Sequence, residues 1–270
     1  MKKAAVLGSP IAHSLSPTIH TAAYRSLGYE GSYEAREVKE NELGSFLQSN
    51  LKQQEWIGFS LTMPLKEQLC LLAERLNISI DERSMRIASA NTLFRDGERW
   101  RATSTDVTGF EFLLRKKKIS QVAILGSGGT ARSAIESLPR HTDEIVIYRR
   151  NRNRDDDLKR ALSHHSLVFR DWSEIANAWD ASVVINTVPS SACRDIEESF
   201  RPPDLLIDAL YSPWPPPLSK RALNSSCEVM SGIDLLCAQA LGQIRLMTGI
   251  SFDENQMFEH LKQIALQAVS

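Results

Sequence analysis

Apolar residues follow two rhythms along this chain. In its first part, short apolar clusters predict strands over 3–8, 32–38 and 56–62. Two further strand-like runs, 91–94 and 99–105, flank Asp96-Gly97, a dipeptide suited to a tight hairpin turn. A helical period lies between the first two strands. Ile19, Ala22, Ala23 and Leu27 share one face over 17–27, with Ser16 as N-cap, Pro17 at the first helical position and Gly28 ending the segment. Leu65, Leu69, Leu72 and Leu76 repeat that period over 64–76. From residue 121 onward, short apolar runs at 122–125, 145–148, 183–186 and 205–208 read as strands of a buried parallel sheet. A short helix closed by Pro139 follows the first of them, and amphipathic helices are predicted over 232–248 and 252–269. Strands alternating with helices predict an α/β fold containing a doubly wound parallel sheet. Pro202-Pro203 and Trp214-Pro215-Pro216-Pro217 read as loops.

The run 122–125 leads into Gly126-Ser127-Gly128-Gly129-Thr130-Ala131 and then a helix, the context in which a glycine loop binds a dinucleotide. Gly126 permits the tight turn, Gly128 lets backbone approach a pyrophosphate, and small Ala131 allows close packing of helix on strand. Gly129 and Thr130 open the helix, whose free amides face the phosphates. About 20 residues further on, an NAD enzyme carries an acidic residue for the ribose 2′-hydroxyl. Here that place holds Arg149 and Arg150, whose guanidinium groups suit a 2′-phosphate and therefore NADP(H).

Composition narrows the partners. The chain has 270 residues, 42% hydrophobic and 24% charged, with a formal net charge of −1. These are the proportions of a globular protein of one or two domains, and they provide no electrostatic footprint for bulk nucleic-acid binding. No apolar stretch reaches the roughly 18 residues of a membrane helix. The opening Lys2-Lys3-Ala4-Ala5-Val6-Leu7-Gly8 is too short in its apolar part for a signal peptide, so a cytoplasmic location is expected. Cys70, Cys193, Cys227 and Cys237 form no Cys-x-x-Cys pattern, and adjacent His164-His165 would not share a helix face, so no metal is expected.

Three polar clusters fall near ends of the first strands. Ser14-Leu15-Ser16-Pro17 sets two hydroxyls at a helix start, a small anion site suited to a carboxylate. Thr62-Met63-Pro64-Leu65-Lys66 puts a lysine just past a strand, and Thr105-Asp106 closes the hairpin. Seen singly, these are a cap, a helix-surface lysine and a turn residue.

Together they carry a resemblance. The opening Gly8-Ser9-Pro10-Ile11-Ala12-His13-Ser14-Leu15-Ser16-Pro17-x-x-His20 resembles that of shikimate dehydrogenases. Ser60-Leu61-Thr62-Met63-Pro64-x-Lys66 is similar to the family's Asn-Val-Thr-x-Pro-x-Lys, and Ala90-Asn91-Thr92 and Thr105-Asp106-x-x-Gly109 match further motifs. The glycine loop, Arg149-Arg150, Asn186-Thr187-x-Pro189, Asp208-x-x-Tyr211-x-Pro213 and Gly232-x-x-x-x-x-x-Gln239 follow in the family's order.

The resemblance implies a substrate-binding α/β domain of residues 1–106 with 236–270, an inserted NADP-binding Rossmann domain of residues 107–235, and substrate in the cleft between them. It implies NADPH-dependent reduction of 3-dehydroshikimate to shikimate by a monomer or homodimer whose only partners are small molecules. Lys66 and Asp106 would be catalytic. Ser14 and Ser16 would hold the substrate carboxylate, and Thr62, Asn91, Asp106 and Gln239 its hydroxyls, with Tyr211 close by. Asn186, Thr187 and Gly232 would join the glycine loop and the two arginines in holding cofactor. Departures from the family pattern are Thr21 after His20, Ser60, Ser104, Val188 and Ser190-Ser191. A quinate/shikimate dehydrogenase and a non-catalytic dinucleotide- or metabolite-binding relative stand as alternatives.

Overall fold

The computed structural model describes residues 1–139, 142–161, 167–192 and 194–269; His164-His165 and Cys193 lie outside the described residues. The chain divides into two compact units, Met1–Gly109 with Leu236–Ser270, and Phe110–Leu235. In chain order the elements are β1 (Lys2–Gly8), α1 (Ser16–Ser26), β2 (Gly31–Glu37), α2 (Leu43–Asn50), β3 (Trp56–Leu61), α3 (Leu65–Leu72), β4 (Ile78–Ile80), α4 (Glu82–Arg86), β5 (Thr92–Asp96), β6 (Arg99–Thr103) and α5 (Thr105–Leu114). They continue as β7 (Gln121–Leu125), α6 (Gly129–Ser137), β8 (Glu144–Arg149), α7 (Asp155–Arg160), β9 (Leu167–Asp171), β10 (Val183–Asn186), α8 (Arg194–Glu198), β11 (Leu205–Asp208), α9 (Pro217–Leu223), β12 (Glu228–Met230), α10 (Gly232–Thr248) and α11 (Glu254–Val269).

The first unit holds a mixed six-stranded sheet in the order β2-β1-β3-β5-β6-β4. β1 runs parallel to β2 and β3, β5 is antiparallel to β3 and β6, and β4 rejoins β6 in parallel. Every residue of β3 is buried, because both faces of the sheet are covered. Phe59 packs on one face, 4.7 Å from Trp56 and 5.9 Å from Trp100 between ring centres. Ile57 joins Tyr24, Tyr33 and Met247 in the cluster on the other.

The expected hairpin forms between β5 and β6, but Asp96 pairs with Arg99, so the two turn residues are Gly97 and Glu98 rather than Asp96-Gly97. Helix α1 begins one residue earlier than predicted, and Ser16 is its first residue instead of its cap. The cap is Leu15, with no side-chain capping bond, while the Ser14 hydroxyl accepts a bond from the Ser16 amide at 3.3 Å. Gly28 closes the helix as foreseen, with the Tyr29 amide donating back to the Tyr24 carbonyl at 2.8 Å.

The second unit holds six strands, all parallel, in the order β12-β11-β10-β7-β8-β9. The chain enters at β7 in the middle, winds outward through β8 and β9, then crosses to β10 on the other side of β7 and winds outward again. This is the doubly wound order of dinucleotide-binding folds, with its reversal between β7 and β10. Among the described residues no helix is long and apolar enough to cross a membrane, and no group of side chains could hold a metal ion.

Candidate active site

In the first unit the predicted site residues collect at one end of the sheet. β1 and β3 end there, antiparallel β5 begins there, and β6 delivers Ser104-Thr105-Asp106 to the same place, since Thr92 pairs with both Ser60 and Thr103. Thr62 follows β3, its amide bonded to the Leu7 carbonyl at 2.9 Å. Lys66 opens α3, whose first turn is tied to the Ala90 amide through the Lys66 carbonyl at 3.2 Å. Helices α5 and α10 meet where Gly109 leaves room: a Cβ there would stand 3.0 Å from the Gln239 amide nitrogen.

The arrangement aligns a charge pair and a chain of amides. Lys66 Nζ lies 2.5 Å from Asp106 Oδ2, with 18% of the lysine side chain and 8% of the aspartate exposed. The other carboxylate oxygen, Oδ1, accepts from Asn91 Nδ2 at 2.9 Å. Asn91 Nδ2 also donates to Gln239 Oε1 at 3.0 Å, and Asn91 Oδ1 accepts from the Thr105 amide at 2.7 Å. One α-helical turn beyond Gln239, Gln243 donates to Gln239 Oε1 at 2.6 Å and its own oxygen lies 3.0 Å from His20 Nε2.

His20 is wholly buried and stacked on Tyr33 at 3.9 Å between ring centres. Burial pushes its pKa from 6.5 down to about 3, against a smaller upward pull from the Gln243 bond. Its ring is therefore neutral at physiological pH.

Of the predicted substrate contacts, Asn91, Asp106 and Gln239 are thus joined with Lys66 by direct bonds. Ser16 is buried and Ser14 half-buried at the start of α1. Tyr211 belongs to the second unit, on the loop after β11.

In that second unit, the loop after β7 and the end of β10 flank the sheet's reversal. Gly126 has φ +114°, and a Cβ on it would stand 2.5 Å from Thr187 Oγ1. Thr187 bonds the Leu125 carbonyl through its amide at 3.0 Å and its hydroxyl at 2.7 Å. Gly128 caps α6 in extended conformation without a side-chain bond, so the amides of Gly129, Thr130 and Ala131 receive no side-chain cap. A Cβ on Gly128 would meet nothing nearer than Arg154 Nη1 at 3.9 Å. This open cradle of amides fits a pyrophosphate. Ala131 is fully buried against the sheet, as the fingerprint requires. Asn186 donates to buried Asp208 at 2.9 Å and accepts from the Val188 amide at 3.2 Å. Gly232 donates its amide to the Leu210 carbonyl at 3.1 Å.

The two arginines at the end of β8 differ. Arg149 is buried, bidentate on Asp155 at 2.9 Å and bonded to Asp171 at 3.0 Å and the Arg170 carbonyl at 2.9 Å. The Asp155 bonds above all hold its pKa above the ordinary arginine range. Arg150 is exposed, its guanidinium 5.7 Å from the Trp172 ring centre.

Comparison with known proteins agrees with both units. Residues 6–93 match the family description "Shikimate dehydrogenase substrate binding domain". A protein of Prochlorococcus marinus (strain MIT 9215) named shikimate dehydrogenase (NADP(+)) is 30% identical over 264 residues, covering 90% of this chain and 91% of its own. The chain belongs to the shikimate dehydrogenase family. Among solved shikimate dehydrogenases, that of Mycobacterium tuberculosis superposes with TM-score 0.85 at 33% identity, covering 97% of this chain and 100% of the other. The Thermus thermophilus shikimate dehydrogenase, solved in complex with NADP(H) and shikimate, superposes with TM-score 0.81 at 29% identity over 98% of this chain and 100% of the other.

Within a shikimate dehydrogenase frame, one departure acquires a local reason: Ser60 accepts the Tyr33 hydroxyl at 2.7 Å. The pattern of residues did not single out Gln243 or Arg154. Gln243 stands one turn from Gln239 on α10, a spacing that marks a shared helix face but not a bond. Arg154 lies past the predicted strand end, and only the turn between β8 and α7 brings it to Gly128.

The two loop glycines separate fold from ligand. Gly126→Ala has no tolerable backbone or space and should lower the unfolding temperature sharply, whereas Gly128→Ala should fold normally and lose cofactor affinity. Thermal melts beside cofactor titration check this; two variants equally destabilised would refute it.

His20 makes stability depend on pH. Its folded pKa lies below its unfolded value of 6.5, so its contribution is complete above pH 6.5 and is lost as pH falls toward about 3. The slope reaches at most about 1.4 kcal/mol per pH unit for one proton. His20→Gln should flatten the dependence of unfolding free energy on pH between 6.5 and 4; an unchanged slope would show that the ring is not buried neutral.

Proposed function

We propose that this chain reduces 3-dehydroshikimate to shikimate with NADPH, and runs the reverse oxidation with NADP⁺. The observation that carries the reading is the Lys66–Asp106 pair, 2.5 Å apart and largely buried at the sheet end where the family's substrate motifs converge. NADPH, when bound, supplies the hydride.

The chain's own residues supply position and a proton. Asp106 uses Oδ2 to aim the Lys66 ammonium and Oδ1 to take a bond from Asn91. An ammonium has three N–H donors, so two remain for the substrate. Negative charge grows on the ketone oxygen as the carbonyl carbon is reduced, and Lys66 Nζ stabilises it and gives it the proton. Gln239 and Thr62 bind the ring hydroxyls, Asn91, whose two N–H groups go to Asp106 and Gln239, holds those two in place, and Ser14 and Ser16 take the carboxylate beside the positive end of α1.

On the cofactor side, the amides of Gly128, Gly129, Thr130 and Ala131 take the pyrophosphate, and Gly126 with Thr187 shapes the turn that presents them. Asn186 and Gly232 border the nicotinamide. Exposed Arg150, together with Arg154 beside Gly128, reads the 2′-phosphate. Arg149 braces that turn through Asp155 and Asp171.

Assays of nicotinamide absorbance with shikimate or quinate, each with NADP⁺ or NAD⁺, test the reading directly. Shikimate with NADP⁺ should be the preferred pair, and inertness towards every pair would refute it. Lys66→Ala should lower turnover by about 10²–10⁴ while cofactor affinity stays near wild type, as expected for loss of a positioned acid. Near wild-type turnover in that variant would remove Lys66 from the chemistry.

Arg150→Ala and Arg154→Ala should each weaken NADP⁺ by about 1.5–3 kcal/mol and NAD⁺ little, the cost of one charge-assisted contact. Arg149→Ala should instead lower the melting temperature, since it leaves Asp155 and Asp171 without their shared partner. Equal losses for both cofactors in the Arg150 and Arg154 variants would contradict the assignment.

A further inference from the structure

We propose that Gln243 is a positioning residue for this reaction: together with Asn91 it clamps the Gln239 carboxamide so that Gln239 offers substrate a well-aimed N–H. The proposal rests on the reading above, in which Gln239 binds a substrate hydroxyl.

The direction of every bond in the buried amide chain follows from Asp106. A carboxylate only accepts, so Asn91 must turn its NH₂ toward Asp106 Oδ1, 2.9 Å away. That same NH₂ faces Gln239 at 3.0 Å, so Gln239 must present its oxygen there. Gln243 approaches that oxygen at 2.6 Å and must therefore present its own NH₂, which also reaches Thr92 Oγ1 at 3.2 Å. Its oxygen is left to face His20 Nε2 at 3.0 Å, so the neutral ring carries its proton on Nε2. His20 Nδ1 accepts from no described residue, which agrees with that tautomer.

Gln239 Oε1 then receives bonds from Asn91, Gln243 and, at 3.3 Å, the Thr105 hydroxyl. One N–H of Gln239 goes to the Leu236 carbonyl at 3.1 Å, leaving the second for the substrate. The terminal torsion of a glutamine is broad and nearly two-fold. Asn91 and the Thr105 hydroxyl, at 3.0 and 3.3 Å, hold that oxygen over longer distances than the Gln243 donor at 2.6 Å, so loss of Gln243 loosens the carboxamide and misdirects the N–H aimed at substrate. Gln243 is 1% exposed, and of the residues it bonds, His20, Thr92 and Gln239, only Gln239 is a predicted substrate contact.

Three measurements test this. Gln243→Met keeps the length of the side chain without its polar ends. It should raise the KM for shikimate about tenfold, the equivalent of one net hydrogen bond, while changing kcat and the KM for NADP⁺ by less than about threefold. In a Gln239→Ala background, Gln243→Met should add nothing to the KM for shikimate. An unchanged KM, an equal loss for NADP⁺, or additive effects in the double variant would overturn the proposal.

Nitrogen NMR of the wild-type protein, which needs no variant, should find the His20 proton on Nε2; a proton on Nδ1 would overturn it too. A wild-type chain that does not turn over shikimate refutes the functional reading, and the proposal with it. Wild-type turnover with unaltered Gln243 variants refutes the proposal alone.

Discussion

The carboxamide of Asn91 lies where distant stretches of this chain meet, and its hydrogen bonds decide how they meet. It accepts from Thr105 at the head of α5 and donates to Asp106 and Gln239. Through those partners it reaches Lys66 on α3, Gln243 on α10 and His20 on α1. A buried polar group without a partner costs roughly 1–3 kcal/mol, so a chain of such groups tolerates one arrangement of its helices. The segment that returns to the first unit after the whole second unit has been built is held by the same bonds that orient the candidate acid. Structural fit and chemical alignment are one constraint here, with the negative charge of Asp106 setting its polarity.

The second unit obeys a different constraint. Its strands are parallel and buried on both faces, so side chains at their ends are the ones free to meet a ligand. The reversal of winding between β7 and β10 opens the space there, and Gly126 turns away from the strand at a backbone angle and a distance from Thr187 that exclude any side chain. The two arginines at the end of β8 are a buried one and an exposed one. Arg149 is enclosed by two aspartates, while Arg150 lies over an indole at the surface. An acidic residue that would select NAD is absent from the end of that strand. The acids that follow it in sequence pair with Arg149, Arg160 and Lys159.

Much of this protein is legible in its sequence. The glycine loop declared itself because a tight turn and close packing admit few residue types. The strands 183–186 and 205–208 appeared at their observed bounds because parallel strands are continuous apolar runs. Helices α2 and α5, strands β4, β9 and β12 and the short helices α4, α7, α8 and α9 went unseen. They are short, amphipathic or partly exposed, and packing rather than local pattern makes them form. The placement of Ser16 as a cap failed for a similar reason: hydroxyls two residues apart fit either position, and the loop from Pro10 to Leu15 decides which one bonds the helix start.

Sequence by itself determined the family, the doubly wound sheet and the residue types that carry the chemistry, because motifs of that kind require particular side chains at particular spacings. Tertiary structure alone decided which of those side chains touch. Lys66 and Asp106 are forty residues apart, and Asn91 and Gln239 are separated by 148. Helical spacing placed Gln243 beside Gln239 but left open which atom of each faces the other. Only the fold, by bringing a carboxylate to one end of the amide chain and a buried imidazole to the other, sets that direction, since a hydrogen bond has a donor and an acceptor and a sequence records neither.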